Sequence, residues 1–495
     1  MMTRFTTVLV ALVAWLGAMA LMAAAGASAA TGHSGLAAQR TGTIGPKTAA
    51  PSGPRTWHVL VGGHADGQAI QAEGYYPHVI TIDAGDTVVW TLNTKEVHAV
   101  AFTGTCEDVS CIPPCVASID ISPCGSPSYD GVSAVDSSGR MVPPGYNWDN
   151  SFPHGGTTFS LTFTKPGANV YFDLSYAGMR GVVVVNPPGT PYPFTQAQYS
   201  AQAQQQLTAD LAAGARAGLG PRPVVTTNPG GTRTYHVAVG AGSAEKTKAT
   251  LGPAGGSAAR GRALLEEPEA GPSPNPAITV RIRLSGLAPG SVHAVQILPG
   301  VCGAPAPTTG IIFSQLFVPT AFTLNNVTAG PDGKATSTTM LTAPQNFNGP
   351  GQLRIPGSGW FINVAAGPAP DNATTSAACG NVVFHAASVM RYFPQNIHIH
   401  VGDTVVWAND TSEVHGVTFL AGQPLPPIPD WYFSNPTGNG VAYDGSSFFN
   451  SGPLYAADAG RNHSLTLTFT KAGTFPYLDV GDSVLGMQGT VTVAP

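Results

Sequence analysis

Short runs of alternating apolar and polar residues recur along most of the chain. In Val79-Ile-Thr-Ile-Asp83 and in Asn396-Ile-His-Ile-His400, for example, the isoleucines fall on every second position. A period of two places one set of side chains on the buried face of a strand. Gly-Asp pairs between such runs, at Gly85-Asp86 and Gly402-Asp403, are typical of tight turns. The pattern predicts an all-β fold in which short strands are joined by turns.

Several blocks of this kind occur twice in the same order, which indicates an internal repeat. The paired blocks are 55–63 with 233–241, 76–90 with 393–407, 96–102 with 413–419, 161–167 with 467–473, and 178–185 with 486–493. Each block alternates with period two or is a short valine-rich run, and both patterns are typical of strands. We therefore expect two copies of one β-sandwich, each of about 130 residues.

The spacing of the two copies differs between their first and second blocks. Trp57 and Trp90 are 33 residues apart, whereas Tyr235 and Trp407 are 172 residues apart. The difference has the length of a domain, and loop tips tolerate insertions of that size. We interpret 245–381 as a third β-sandwich inserted into the first hairpin of the second copy. The alternative is three domains in series, with the strand that contains Tyr235 belonging to the middle one.

The segment between the copies differs in composition from the rest. From Thr195 to Ala213 it is rich in Ala and Gln and contains no Pro, which predicts a short helical linker packed along one sandwich. The expected boundaries are 1–29 for a signal peptide, 30–54 for a flexible lead-in, 55–187 for the first sandwich, 188–231 for the linker, 232–244 plus 382–495 for the second sandwich, and 245–381 for the insertion.

The N-terminus has the features of an export signal. Arg4 precedes an apolar run from Phe5 to about Gly26, and the small residues of Ala27-Ser-Ala29 follow as a cleavage site. The alternative is a retained membrane anchor, since the run is long enough to span a bilayer. Cleavage near Ala29 is favoured because no basic stop-transfer cluster follows. We expect a secreted or extracytoplasmic protein, in a periplasm or at a cell surface, with no membrane span in the mature chain.

Composition narrows the classes of function. Of the 495 residues 10% are charged, and 22 Lys and Arg against 27 Asp and Glu give a net charge of −5. No basic stripe is available to neutralise phosphates, so nucleic acid is not expected as a partner. The 60 Gly and 44 Pro disfavour a helical bundle, whereas 43% hydrophobic residues indicate a packed fold.

The six cysteines suit disulfides in an exported protein. A cluster in one Pro-, Ser- and Asp-rich loop consists of Cys106, Cys111, Cys115 and Cys124. The alternatives for this cluster are a metal site and two loop-stapling disulfides, and disulfides are favoured because no paired CxxC or nearby His is present. Cys302 and Cys379 are left to pair with each other.

The repeated unit resembles the cupredoxins, the blue-copper family of plastocyanin and amicyanin. The resemblance rests on a Pro-x-x-Ile-x-Ile-x-x-Gly-Asp-Thr-Val-Val-Trp run, a Val-His-x-Val strand and a closing Gly-Met-x-Gly-x-Val-x-Val run, each present in both copies. It implies two Greek-key sandwiches. It also implies copper as the cofactor, electron transfer as the function, and a redox or cell-surface protein as the partner.

Two of the four copper ligands of that family have counterparts here. In cupredoxins one His comes from the Val-His-x-Val strand, and Cys, His and Met come from a late loop. By position the first ligand is His98 in the first copy and His415 in the second, and the axial ligand is Met179 or Met487. The alternative for the first copy is a histidine at the solvent edge above a core methionine.

The cysteine and the second histidine of the family are absent from both copies. Asp173 and Asp479 occupy the cysteine position, and Tyr176 and Asp482 occupy that of the second histidine. One histidine with two carboxylates suits a hard or borderline divalent ion rather than a blue-copper site. One hypothesis is a divergent copper-binding, electron-transfer protein. The other is a metal-free extracellular binding or cell-surface module on the same scaffold.

The inserted segment resembles the Cu/Zn superoxide dismutase-like sandwich, an immunoglobulin-like β-fold. The matching residues are the turn Leu284–His293, Gly300–Cys302 and Ala378–Asn381. In that family the strand after the turn carries the copper-binding His-x-His, but this chain has Gln296 and Leu298 there. Dismutation is therefore not expected. A multicopper oxidase would need clustered His and Cys late in the chain, so we expect no enzyme.

Overall fold

Most of the chain beyond residue 52 is described by the structure, a computed structural model. It describes residues 53–65, 69–102, 123–132, 136–144, 156–173, 176, 179–219, 223–242, 246–266, 277–304, 322–342, 359–368, 375–383, 385, 387–409, 411, 413–425, 441–455 and 462–495. The expected signal peptide, most of the lead-in, and Cys106, Cys111 and Cys115 lie outside these ranges. Within them, no helix combines the length and the hydropathy needed to cross a membrane.

The first repeat forms two sheets that enclose one core. Its strands are β1 Thr56–His64, β2 Ile70–Tyr76, β3 Val79–Asp83, β4 Thr87–Leu92, β5 Ala101–Phe102, β6 Pro123–Cys124, β7 Ser128–Tyr129, β8 Asp136–Ser138, β9 Thr158–Phe163, β10 Gly167–Phe172 and β11 Arg180–Asn186. One sheet runs β2-β1-β4-β9-β7 and the other runs β3-β11-β10-β5-β8-β6. Trp57 and Trp90 from the first sheet pack against Ile80, Ile82 and Val183 from the second. Both isoleucines of the alternating run therefore face the core, as period two requires.

A single α-helix, α1 at Gln196–Ala217, follows the first repeat among the described residues. Thr195 accepts a hydrogen bond from the backbone of Gln198, whose side chain bonds back to the Thr195 backbone. This capping box satisfies N–H groups that the first helical turn leaves without partners. Leu207 packs against Tyr76 of β2.

Helix α1 crosses strands of both repeats rather than lying along one sandwich, so that part of the linker prediction was wrong. A Cβ added at Gly214 would lie 2.6 Å from the Ile70 side chain and 2.9 Å from Ala387, which belong to different repeats. One turn earlier, buried Asp210 forms a 2.7 Å contact with the ring of His385. Glycine thus permits the close approach at the crossing point.

Eight strands between Lys246 and Val382 form a separate sheet. After β12 Val224–Thr227 and β13 Arg233–Gly242, its strands are β14 Lys246–Pro253, β15 Arg260–Glu266, β16 Ala277–Ser285, β17 Val292–Pro299, β18 Phe322–Thr328, β19 Ala335–Thr342, β20 Trp360–Ala365 and β21 Ser376–Val382. Their order is β18-β17-β20-β21-β14-β15-β16-β19. Val280, Ile297 and Trp360 are among the residues of its core. Cys302 and Cys379 form a disulfide with their Cα atoms 5.6 Å apart.

The remaining strands repeat the pattern of the first repeat. They are β22 Ala387–Phe393, β23 Asn396–His400, β24 Thr404–Asn409, β25 Thr418–Phe419, β26 Val441–Tyr443, β27 Phe449–Asn450, β28 Ser464–Phe469, β29 Gly473–Leu478 and β30 Gln488–Ala494. Strand β13 pairs antiparallel with β22 and parallel with β24, as β1 pairs with β2 and β4. Tyr235 lies opposite Val405 of β24. The domain boundaries given above remain a prediction.

The two repeats share one sheet. Strands β2 and β22 pair antiparallel, and Gln71 lies opposite Ser388 at the middle of the pairing. Strands β2 and β22 occupy equivalent places in the two repeats, so the two halves are related by an approximate twofold axis at this pair. The all-β class predicted from the sequence is confirmed.

Candidate functional site

Each repeat buries one histidine beside the closing loop of its sandwich. His98 exchanges two backbone hydrogen bonds with Met141, and His415 exchanges the same two with Leu454. Both histidines have 0% of their surface exposed. The alternative of a histidine at the solvent edge is therefore wrong for His98, because the bridge holds the ring inside the sandwich.

In the first repeat the histidine is paired with the aspartate that stands at the cysteine position. His98 Nδ1 lies 2.8 Å from Asp173 Oδ2, and neither side chain is exposed. The same oxygen accepts the backbone N–H of Ala99 at 3.0 Å, and Oδ1 accepts that of Tyr176 at 3.3 Å. The carboxylate is thus held by hydrogen bonds from protein groups on both of its oxygens.

In the second repeat two aspartates flank the histidine. His415 Nδ1 lies 3.1 Å from Asp482 Oδ2 and 3.7 Å from Asp479 Oδ2. One ligand atom from each of the three residues lies within 4.8 Å of the others, a spacing compatible with a metal ion. Asp479 is also bound by the backbone N–H groups of Gly416, Gly481 and Asp482. Its oxygens are therefore already occupied by protein donors.

The electrostatics of His415 follow from these neighbours. Burial opposes the charged form of the ring, but the hydrogen bonds and charges of Asp479 and Asp482 outweigh it and raise the pKa of His415 to about 10. Burial, and then the charge of Asp479, raise the pKa of Asp482, while the contact with His415 lowers it. The group behaves as a buried ion pair.

The two methionines lie where the spacing of the late loop places them. The backbone N–H of Asp173 bonds to the carbonyl of Met179 at 3.0 Å, and that of Asp479 bonds to the carbonyl of Met487 at 3.0 Å. Both methionines are buried in the cores of their sandwiches. The structure therefore brings His98, Asp173 and Met179 into one loop region, and His415, Asp479, Asp482 and Met487 into the equivalent one.

These residues do not fit the copper that the sequence resemblance implies. A blue-copper site needs a thiolate and two imidazoles in one plane, with a weak thioether on the axis. Each repeat offers one imidazole, and Asp173 or Asp479 supplies a carboxylate in place of the thiolate. Cys302 and Cys379 are bonded to each other, and Cys124 is disulfide-bonded.

Three glutamates near the two histidines were missed by the sequence analysis. Glu96 is 1% exposed, and its Oε2 lies 3.8 Å from His98 Nε2. Burial raises the pKa of Glu413, from the second repeat, and the charges of Glu73 in β2 and of Glu96 raise it further. The sequence signal that could have identified two of them is a Glu-x-His spacing. Both repeats contain it, at Glu96 and at Glu413.

Comparisons with known proteins do not identify the function of this site. No family model matches the chain, and no curated protein matches it. A Cu(I) form of an amicyanin variant is 26% identical over 21% of this chain and 74% of its own length, with a TM-score of 0.15. A second reduced amicyanin variant gives the same identity, coverage and TM-score. A third, at pH 4, is 19% identical over 29% of this chain and 97% of its own, with a TM-score of 0.16. The likeness is at most that of a cupredoxin-like fold, and it assigns neither copper nor electron transfer to this chain.

Proposed function

We propose that this is an exported binding protein that does not carry electrons. In this proposal two cupredoxin-like frames hold histidine–carboxylate pairs where the blue-copper family holds its metal. The observation that carries the proposal is the 2.8 Å contact between His98 Nδ1 and Asp173 Oδ2, two side chains with no solvent exposure. That contact uses the ring nitrogen on the side of the family's metal position.

The donor atoms argue against rapid one-electron chemistry. A thiolate and two imidazoles serve both Cu(I) and Cu(II), whereas carboxylates are hard ligands that hold Cu(I) poorly. The Asp173 carboxylate already accepts hydrogen bonds from His98, Ala99 and Tyr176. A copper ion at this position would have to displace the first of these, without gaining sulfur in return.

The pairs have a structural explanation that needs no metal. A buried carboxylate is costly unless it is paired and hydrogen-bonded, and Asp173 meets both conditions. Its bonds tie the strand of His98 to the closing loop that begins after β10. In the second repeat Asp479 ties Gly416 to the equivalent loop. In both repeats the aspartate therefore links the histidine segment to the closing loop, as the metal does in the blue-copper family.

Export and surface chemistry support a binding role outside the cytoplasm. The expected signal peptide ends near Ala29, and the Cys302–Cys379 disulfide suits an oxidising compartment. With only 10% charged residues, the chain suits a protein or cell-surface partner rather than nucleic acid. The competing function is the family role, copper binding and electron transfer with a redox partner.

Titration of the mature protein with Cu(II) distinguishes the two functions. The intense visible band of a blue-copper site arises from thiolate-to-copper charge transfer. We expect no such band, and no reversible one-electron wave in voltammetry of the copper-treated protein. A wild-type protein that turns blue, or that cycles reversibly with copper bound, would refute the proposal.

A further inference from the structure

Residues next to the ends of β17 and β20 cover the outer face of the first repeat. Val301 packs against the valine cluster of this face, which includes Val182 of β11. A Cβ added at Gly359 would lie 3.2 Å from the Val182 side chain and 3.6 Å from that of Arg180. The neighbouring Trp360 lies under the Arg180 guanidinium, whose Cζ atom is 4.8 Å from the ring centroid. The Gly359-Trp360 tip is therefore seated on β11.

The second repeat builds the same face from equivalent strands. Strand β11 pairs parallel with β3 and antiparallel with β10, and β30 pairs in the same two ways with β23 and β29. By this register residues 488–490 stand where 180–182 stand in the first repeat. The backbone N–H of Thr490 donates to the carbonyl of Gln395 at 2.9 Å, as that of Val182 donates to the residue before β3 at 3.0 Å. We use the name β30 face for the surface formed by Asn396, Pro476, Leu478, Gln488 and Thr490.

A cavity of about 250 Å³ lies on the β30 face. Its lining includes the amide side chains of Gln395, Asn396 and Gln488 and the apolar side chains of Pro476 and Leu478. Asn396, Pro476 and Gln488 are exposed. Pockets for drug-sized ligands have about 300–1,000 Å³. The cavity is therefore sized for one large side chain rather than for a drug-sized ligand.

The cavity lies at the place where the first repeat holds the Gly359-Trp360 tip. A Cβ added at Gly359 would lie 3.8 Å from the carbonyl oxygen of Gly181, so the tip passes over that part of β11. Gly489 is the counterpart of Gly181, and it lines the cavity. Gln488 also lines it, and stands where Arg180 stacks on the tryptophan. The first repeat thus shows what this part of the frame accepts, which is a glycine above the strand with an indole ring beside it.

The side chains around the cavity suit an indole ring. Pro476 and Leu478 offer apolar surface, and the planar amide of Gln488 stands where the first repeat stacks a guanidinium. A buried indole also needs an acceptor for its N–H group. Among the described residues, the side-chain nitrogens of Gln395 and Gln488 donate to the carbonyls of Gln488 and Ser483, each at 3.2 Å. The side-chain oxygens of both glutamines therefore remain available as acceptors.

The polarity of the β30 face indicates a reversible contact with a neutral group. Asn396 stands where the first repeat has Val79, and Thr490 stands where it has Val182. Permanent interfaces are more hydrophobic than transient ones, so the polar face suits a partner that binds and leaves. Of the described residues that line the cavity, none is charged. A charged ligand would therefore find no opposite charge there.

We propose that the β30 face docks a tryptophan that a partner protein presents beside a glycine, on a loop or an extended segment. The indole ring enters the cavity between Pro476 and Gln488. The glycine of the partner lies over Gly489, as Gly359 lies over Gly181 in the first repeat. Tryptophan is among the residues that dominate the binding energy of protein interfaces. The inference rests on the proposed binding role, for which it names the surface and the class of partner.

A peptide copy of the tip is the probe for this face. The labelled peptide Pro-Gly-Ser-Gly-Trp-Phe has the sequence of residues 356–361, and its binding to the mature protein is followed by fluorescence anisotropy. We expect saturable binding of one peptide per chain. A peptide with leucine in place of tryptophan should bind about three- to tenfold more weakly, since aromatic contacts contribute beyond their buried area. Absence of saturable binding, or equal affinities of the two peptides, would overturn the proposal.

Two substitutions on the β30 face should change the affinity for the peptide in opposite directions. Asn396→Trp places an indole in the cavity from β23 and should weaken binding by about tenfold or more. Gln488→Arg restores the guanidinium of the first repeat and should tighten binding about two- to fivefold through a cation–π contact. His400→Trp, on the same exposed face of β23 but outside the cavity lining, is the matched control and should bind as the wild type does. Equal weakening by both tryptophan variants, or unchanged affinity in all three, would contradict a specific site.

The chain itself is the competing occupant of the cavity. A second copy would appear as a dimer in sedimentation velocity that Asn396→Trp abolishes, and peptide binding only in Trp431→Ala would show that the chain fills its own cavity. Either result would overturn the proposal. The copper titration has a separate readout, so the two proposals can fail independently. A protein that stays colourless but binds no peptide refutes this inference alone, and one that turns blue and binds the peptide refutes the proposed function alone.

Discussion

Asp173 Oδ2 lies 2.8 Å from His98 Nδ1, with both side chains fully enclosed by the first sandwich. The same oxygen holds the backbone N–H of Ala99, so one carboxylate satisfies two buried donors. Removing it would leave both donors without partners in a place that water does not reach. The pair therefore makes a direct prediction about stability.

Asp173→Ala should lower the free energy of unfolding by about 2–4 kcal/mol, because two donors to a charged acceptor lose their partner. Asp173→Asn keeps an oxygen at the same place and should cost clearly less, about 1 kcal/mol. Urea unfolding followed by tryptophan fluorescence measures both. Equal losses in the two variants would show that the hydrogen bonds at this carboxylate are not what stabilises the loop.

The folded arrangement at this pair could be predicted only in part. The alternating runs and the Gly-Asp turns predict the strands, and the spacing from Asp173 to Met179 predicts the register of the closing loop. The burial of His98 could not be predicted in the same way, because it depends on a bridge to Met141, 43 positions later in the chain. Local periodicity carries no information about such a partner.

The shared sheet depends on a contact between the repeats. From sequence alone, β2 and β22 are each predicted to be an edge strand of a separate sandwich. Neither sequence pattern identifies the other strand as its pairing partner. The two strands meet with Gln71 opposite Ser388, residues at matching positions of the repeat. The same pairing explains why α1 crosses two repeats instead of one.

A pH-dependent prediction concerns Asp136 in β8. Burial, and then the charge of Asp130, raise its pKa to about 6, although a hydrogen bond from the Ser126 backbone lowers it. The folded state therefore holds a proton that the unfolded state releases near pH 4. The resulting stability is complete below about pH 4 and is lost as the pH rises to 6.

Asp136→Asn should remove this dependence, since the amide stays neutral. We expect its free energy of unfolding to match that of the wild type at pH 4. At pH 8 it should be higher by about 1 kcal/mol, because solvent screening reduces the roughly 3 kcal/mol that a two-unit shift would give in a fully buried group. In the second repeat the position equivalent to Asp136 is occupied by Phe449. Phe449 lies opposite Phe419 in the sheet, and Asp136 lies opposite Phe102 in the same way. Denaturant midpoints at the two pH values check the prediction, and a constant difference between the proteins would contradict it.

Deleting residues 245–381 should leave a folded protein. Gly242 at the end of β13 lies opposite Ser388 at the start of β22, so a short Gly-rich joint can close the gap. The deletion uncovers part of the first repeat, because Arg180 stacks on Trp360 at 4.8 Å and Val301 packs on Val182. We therefore expect cooperative unfolding with a lower solubility. Loss of cooperativity would show that the eight-stranded sheet is needed for the second repeat to fold.

The strongest test of the cupredoxin resemblance is to restore its ligand set. Asp479→Cys together with Asp482→His would supply the thiolate and the second imidazole beside His415 and Met487. The 3.0 Å bond from the Asp479 backbone to Met487 holds the loop in the register that the ligand spacing needs. A histidine at 482 would start near His415, since Asp482 already lies 3.1 Å from its Nδ1 atom.

We expect this double variant to turn blue with Cu(II), while the wild type and Asp482→His alone stay colourless, because charge transfer from a thiolate gives the band. In the first repeat the matching change is Asp173→Cys with Tyr176→His, and it should respond in the same way if the two frames are equivalent. The native cysteines, Cys302 and Cys379 among them, must all stay oxidised in every variant, so that no other thiol can bind the metal. Absorption and electron paramagnetic resonance spectra of the copper-treated proteins decide the outcome. A colourless double variant that folds normally would show that the closing loop does not have the geometry of a blue-copper site, and that the resemblance ends at the strands.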